Sequence, residues 1–166
     1  MVEGRFIARG AVATLLSPVV AGFAGTLAFT IIMFTFLPDA REPINGPVGN
    51  FFMITLYLGL AAAFFGALFT IVATLLSQIS LTMFHRKRGR RALAMHLAAS
   101  AVLGILLFWF LSPFLTPVNL TGFSAAMNWE DILTMIVVGS VGGFSVGLLW
   151  DWLVLKPMFK GETIDG

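Results

Sequence analysis

His96 comes closer than any other residue of this chain to the setting of a metal ligand. It lies four residues into an apolar segment that starts near Ala92, with Ser100 one helical turn further on. A histidine among small residues near a membrane boundary can ligate the metal of a haem or a chlorin. His85, the other histidine, belongs to a basic turn, so a bis-histidine site within one chain is disfavoured. A hydrogen-bonded interfacial histidine is the alternative, and no cofactor is predicted from His96 alone.

A second group of polar residues lies on a longer apolar segment, at Thr70, Thr74, Ser77 and Gln78. Spacings of three and four residues place them on one side of a helix. Such a strip can line a narrow water path or a pocket for a small solute, as hydrogen-bonding walls do in channels. Hydrogen bonds between helices explain the same residues equally well, so both interpretations stand.

Other chemistry is limited by the residues that the chain lacks. It has no cysteine, which excludes thiol catalysis, iron–sulfur clusters and cysteine-built zinc sites. The stretch between residues 112 and 131 contains hydroxyl and carboxylate groups but no histidine, so a Ser-His-Asp arrangement is not expected there. No Asp, Glu, Lys or Arg lies in the middle of an apolar segment, which argues against proton-driven pumping. We therefore expect a protein that is not an enzyme.

The composition indicates what kind of structure must hold these residues. Hydrophobic residues make up 58% of the 166 positions and charged residues 11%, and the mean hydropathy is +0.96. A globular chain carries about 25% charged residues, so this one has too little polar surface to cover a particle in water. The net charge of +2 comes from basic residues at the ends of apolar segments and does not indicate nucleic-acid binding. The sequence predicts a membrane protein.

Four stretches contain no charged residue, and each can supply one membrane-spanning helix: 10–38, 43–85, 92–129 and 132–150. The predicted fold class is all-α, an integral membrane bundle of four transmembrane helices, up-down-up-down, in a single domain. Pro38 and Pro113 are expected to end the first and third helices. Segment 112–127 is expected to lie in the interface or to re-enter the bundle. The spans are placed at about 11–37, 51–76 with a helical extension to about 84, 92–111 and 131–155.

Basic residues give the predicted orientation. With four spans, both tails and the central loop share one side, which has nine basic residues against Arg41 alone on the other: Arg5, Arg9, Arg86, Lys87, Arg88, Arg90, Arg91, Lys156 and Lys160. The positive-inside rule makes that side cytoplasmic, so both termini are predicted to lie in the cytoplasm, with a bacterial inner membrane as the expected location. The five basic residues between 86 and 91 are expected to contact anionic lipid headgroups. Trp150 and Trp152 are predicted to form the inner aromatic belt.

Small residues gather on single faces of three predicted helices: Ala21 and Gly25 on the first, Gly59, Ala62 and Gly66 on the second, and Gly139, Gly143 and Gly147 on the fourth. In lipid, helices are held together by close van der Waals contact, which small residues permit. The glycines of the fourth helix are expected to face another subunit. The alternative is packing against the first or second helix of the same chain.

The chain has many residues suited to helix packing and few side chains suited to catalysis, and this combination favours a non-catalytic role. The leading hypothesis is an accessory, structural or assembly subunit of a larger membrane complex, with lipids and other transmembrane subunits, or copies of itself, as partners. A small transporter or channel, or the membrane component of one, with a pathway near the second and fourth helices is the alternative. A pigment-binding or haem-binding subunit that uses His96 is a further alternative.

Overall fold

The computed structural model describes residues 2–36, 47–84, 90–115 and 129–157 of the chain, and these residues are helical. A π-helical segment, Asp151–Leu155, directly continues the last helix. No β-strand occurs within the described ranges, so the prediction of an all-helical protein is confirmed for them. The helices are α1 (Val2–Phe36), α2 (Pro47–Phe84), α3 (Arg90–Leu115) and α4 (Trp129–Trp150).

Three helical stretches are long and apolar enough to cross a membrane: Gly4–Phe36, Arg91–Phe110 and Ile132–Leu155. They contain 33, 20 and 24 residues, whereas the hydrocarbon core of a bilayer requires about 20 residues of helix. Within α2, the described apolar stretch is the shorter Val48–Phe64. The three long apolar helices indicate a membrane-embedded protein.

The helices extend beyond the predicted spans. α1 begins at Val2 and carries the exposed Arg5 and Arg9 in its first turns, because a charged side chain at a membrane boundary does not interrupt backbone hydrogen bonding. α3 continues past Pro113 to Leu115, and Pro18 lies inside α1. The expectation that Pro113 ends a helix is therefore wrong. Membrane helices tolerate proline because neighbouring groups satisfy the freed backbone carbonyl.

The helices pack side by side with antiparallel neighbours. α1 lies between α2 and α4, and α3 packs on the other side of α4, whereas contact between α2 and α3 is sparse among the described residues. The α1–α4 register is antiparallel, because Gly10 lies beside Trp150 and Gly25 lies beside Val138. Gly22 meets Ala63 of α2, and the rings of Phe34 and Phe51 form an edge-to-face pair with centroids 5.5 Å apart.

The apolar core lies between α1 and the end of α4. It consists of Ala13, Val146, Trp150 and Val154. The backbone N–H of Lys156 donates to the carbonyl oxygen of Asp151, which is the five-residue bond of a π-helix. The wider turn changes the direction of the following side chains, and Val154 and Leu155 are both buried.

Trp150 lies in this core, although the sequence analysis placed it in an aromatic belt at the membrane surface. Its side chain is 1% exposed, whereas that of Trp152 is 65% exposed. Residues two positions apart on a helix point about 200° apart, so the two tryptophans cannot share one environment. The belt assignment is wrong for Trp150, and for Trp152 it stays a prediction.

Candidate functional site

Polar side chains occupy much of the interior of the bundle, while large apolar side chains cover its outside. Eight polar residues are buried among the described residues: Thr14, Ser17, Thr26, Thr30, Thr74, Gln78, His96 and Ser100. Buried polar groups in a membrane protein either satisfy one another between helices or line a path for a polar solute. The hydrogen bonds of each residue separate these roles.

The hydroxyl groups of α1 are satisfied mainly within their own helix. Thr14 donates to the carbonyl of Gly10 at 2.8 Å, and Ser17 donates to that of Ala13 at 2.7 Å. Thr30 likewise donates to Thr26 at 2.9 Å, and it also accepts a 3.2 Å bond from Thr55 of α2. Donation to the carbonyl four residues back is a common way for serine and threonine to fit inside a helix. These residues need no ligand.

A second set of buried polar residues joins three different helices. We call Gln78, His96 and Ser100 the inner polar cluster. The Nε2 amide of Gln78 on α2 donates to the Oγ of Ser100 on α3 at 3.1 Å. The Nε2 of His96 on α3 lies 3.3 Å from the carbonyl oxygen of Gly147 on α4. Each of these side chains is at most 2% exposed, so these bonds form in a medium that water does not screen.

Glycines of α4 allow the inner polar cluster to form. His96 and Ser100 are four residues apart on α3 and therefore lie on the same face, which is the face toward α4. A Cβ atom on Gly147 would lie 2.9 Å from Ser100 Oγ, and one on Gly143 would overlap the carbonyl oxygen of Ser100. Only hydrogen at these positions lets α3 approach closely enough for His96 to reach the backbone of α4.

The chemistry available to the inner polar cluster is hydrogen bonding. A carbonyl oxygen only accepts, so the contact with Gly147 requires a proton on Nε2 of His96. The amide of Gln78 and the hydroxyl of Ser100 both donate and accept. Within the described ranges, no group of three or more His, Asp or Glu residues is arranged to hold a metal ion.

His96 is poorly placed for the haem or chlorin role that the sequence left open. Its Nε2 is engaged with the Gly147 carbonyl, and its ring lies in the close contact between α3 and α4. A macrocycle on that nitrogen would have to break the contact and separate the helices. The geometry therefore favours the alternative of a hydrogen-bonded histidine, although its position is inside the bundle and not at its surface.

The polar strip predicted on α2 is described in part. Thr74 and Gln78 are buried in the bundle, and Gln78 makes the bond to Ser100 described above. Thr70 and Ser77 lie within α2, but their side chains fall outside the described part. The sequence reasoning named Ser100 only as a neighbour of His96. Its four-residue spacing from His96 was the available signal that both belong to one site.

The glycine face of α4 packs against α3 of the same chain. Gly139 lies against Gly104 and Ile105, and Gly143 lies against Ser100 and Gly104. The partner is therefore neither α1 nor α2, the helices considered from sequence, and these glycines are covered within one chain. The signal on α3 was weaker, since Gly104 is its only glycine, although Ser100 lies four residues before it on the same face.

The other predicted packing residues lie on α1 and α2. Gly25 faces Val138, and Ala21 faces Gly142, both on α4. Gly59 of α2 faces the ring of Phe23, and Ala62 is half-buried. Gly66 lies within α2, but its surroundings fall outside the described part.

The predicted lipid-contact residues are described only at the start of α3. Arg91 is exposed. Arg90 is the first residue of α3, with its side chain outside the description, and Arg86, Lys87 and Arg88 lie outside the described residues. Segment 116–128, which includes most of the predicted interfacial or re-entrant loop, also lies outside them. Arg5, Arg9 and Lys156 are exposed at the same end of the bundle as Arg91.

Comparison with protein-family models, with curated proteins and with solved structures finds no match for this chain.

Proposed function

We propose that the chain is a multi-pass protein of a bacterial inner membrane, with four spans and both termini in the cytoplasm. The antiparallel contacts of α1 with α2 and α4, and of α3 with α4, support an up-and-down course. The excess of basic residues at one end supports the orientation, because positive loops remain on the cytoplasmic side.

The function we propose is that of a non-catalytic accessory or assembly subunit. The observation that carries it is the contrast between interior and exterior. Inside the bundle, the backbones of neighbouring helices come into close contact at Gly22, Gly104 and Gly143. The helices of one chain therefore pack tightly against one another. The outside is apolar, and α2, for example, has three strongly exposed apolar side chains: Phe52, Leu60 and Phe64. Such a surface suits lipid and the apolar helices of a partner equally well.

The composition of the native complex tests this function. We expect native mass spectrometry of the protein, extracted in mild detergent, to give a mass that contains the 18.0 kDa chain together with different chains. Phe64→Ala should weaken their association, because it removes a bulky side chain from the exposed face of α2. The matched control is Thr35→Ala, an exposed position on α1. A particle made only of 18.0 kDa chains would contradict the accessory role.

A small channel or transporter for neutral solutes is the second candidate. It is favoured by the inner polar cluster, which brings hydrogen-bonding side chains from two helices and a carbonyl from a third into the interior. Gly143→Leu is not a usable probe of this function, because any side chain there collides with the backbone of α3. Substitutions that keep the side-chain volume are required.

Water permeability tests the second candidate. We expect proteoliposomes with Thr74→Val to show osmotic water permeability reduced at least about twofold, because the change removes a buried hydroxyl at nearly constant volume. Stopped-flow light scattering measures it. Thr35→Val is the control, since the Thr35 hydroxyl is exposed and donates to Ile31 of its own helix at 2.7 Å. Equal permeability of the wild-type protein and empty liposomes would exclude a water pathway.

A further inference from the structure

The contact between α2 and α3 differs in kind from the other helix contacts. At α1–α2, α1–α4 and α3–α4, a glycine lets one backbone approach its neighbour: Gly22 at Ala63, Gly142 at Ala21, and Gly143 at Gly104. Among the described residues, α2 and α3 meet sparsely in contrast. The hydrogen bond from Gln78 to Ser100 is one of the side-chain contacts between them.

The difference in contact implies a difference in strength. Close backbone contact gains dispersion energy along several turns of both helices. The sparse backbone contact of α2 with α3 gains less dispersion energy, and each hydrogen bond between membrane helices adds on average only an energy comparable to thermal energy. When the bundle opens, the boundary between α2 and α3 should therefore separate first.

Separation of α2 from α3 would expose buried polar side chains to water and to small solutes. The separation uncovers Gln78 and Ser100, whereas His96 remains against Gly147 of α4. Thr74 lies one turn from Gln78 on α2 and is also buried. The side chains of Gln78, Ser100 and Thr74 carry neutral donors and acceptors, so they match water and small neutral solutes.

We propose that the boundary between α2 and α3 is a gated entry site for water and small neutral hydrogen-bonding solutes, with the Gln78–Ser100 bond as its latch. The structure represents the closed state, in which the latch is formed and the polar groups are covered. The proposal builds on the inner polar cluster of the second candidate function and moves its pathway from the α2–α4 region to α2–α3. It requires entry but no transport across the membrane.

Thiol accessibility tests the entry site, and the chain suits the method because it has no cysteine. The reporter is Thr74→Cys, and its control is Leu60→Cys, an exposed position inside the apolar stretch Val48–Phe64 of α2. Only a thiolate reacts, and a thiolate needs water. With 2-aminoethyl methanethiosulfonate as the probe, we expect Thr74→Cys to react at least about tenfold faster than Leu60→Cys. Equal rates would overturn the proposal.

A second variant tests the latch. Ser100→Ala removes the acceptor of the Gln78 bond, and in the Thr74→Cys background it should raise the reaction rate several-fold. An unchanged rate would show that access does not depend on the boundary between α2 and α3 and would overturn the assignment of the latch.

The readout also separates this proposal from the function it builds on. If the Thr74→Cys protein does not fold, Ser100→Cys replaces it as a reporter in which the latch is already broken. It should then react at least about tenfold faster than Val102→Cys, on the opposite, exposed face of α3. Fast labelling without osmotic permeability would support the entry site and reject the channel. Slow labelling with normal permeability would reject the entry site alone.

Discussion

Gly143→Ala is expected to lower the thermal stability of the bundle strongly. The new Cβ would overlap the carbonyl oxygen of Ser100 and lie 2.9 Å from the Cα of Gly104. Both obstacles are backbone atoms, so no side chain can rotate away and α3 must move. Overpacking of this kind costs about 3 kcal/mol, which corresponds to roughly 6–12 °C in a chain of this size.

Thermal unfolding in detergent, followed by circular dichroism, measures this effect. Gly4→Ala is the control, because a Cβ there meets nothing within 4 Å. Gly147→Ala should fall between the two, since its closest neighbours are side-chain atoms of Ser100 and Leu97. A Gly143→Ala protein as stable as Gly4→Ala would contradict the close α3–α4 contact.

Trp150→Ala should produce the second large loss. The indole is 1% exposed and packs with Ala13, Val146 and Val154 between α1 and α4. Its removal leaves a cavity that the neighbouring backbones cannot fill, and comparable truncations cost about 3–5 kcal/mol. We expect a loss of stability at the lower end of this range. Lipid is as apolar as the core, so the substitution removes mainly van der Waals contacts and little hydrophobic free energy.

Trp152→Ala supplies a matched control, since it removes the same side chain two residues away. Trp152 is 65% exposed, so its loss should shift the thermal midpoint by little. We expect Trp150→Phe to retain most of the stability, because the ring still fills the space. If the two alanine variants were equally stable, Trp150 could not belong to the core between α1 and α4.

The membrane character and the all-helical structure were predictable from composition and from the positions of the charges. Those properties depend on the fractions of hydrophobic and charged residues and on the lengths of the apolar segments, and both can be read from the sequence. Helix ends were less predictable. Pro113 was expected to stop α3, yet the helix continues to Leu115, because the effect of a proline depends on what surrounds it.

The candidate site was predictable only as separate pieces. His96 stood out as the one histidine in an apolar segment outside the basic turn, and Thr74 and Gln78 stood out through their four-residue spacing. Nothing in the sequence joined Gln78 to Ser100 or His96 to Gly147, because 22 and 51 residues separate these partners. The glycines of α4 were recognised as a contact face, but their partner α3 was not.

Sequence alone therefore determined that this protein is helical and membrane-embedded, because lipid demands long apolar helices whatever their neighbours are. It also determined which faces carry small residues. Only the tertiary structure decided which helices meet, that Trp150 lies inside while Trp152 lies outside, and that the boundary between α2 and α3 is the weakly packed one. These features depend on the approach of backbones far apart in the chain, and helical periodicity along a single segment contains no information about them.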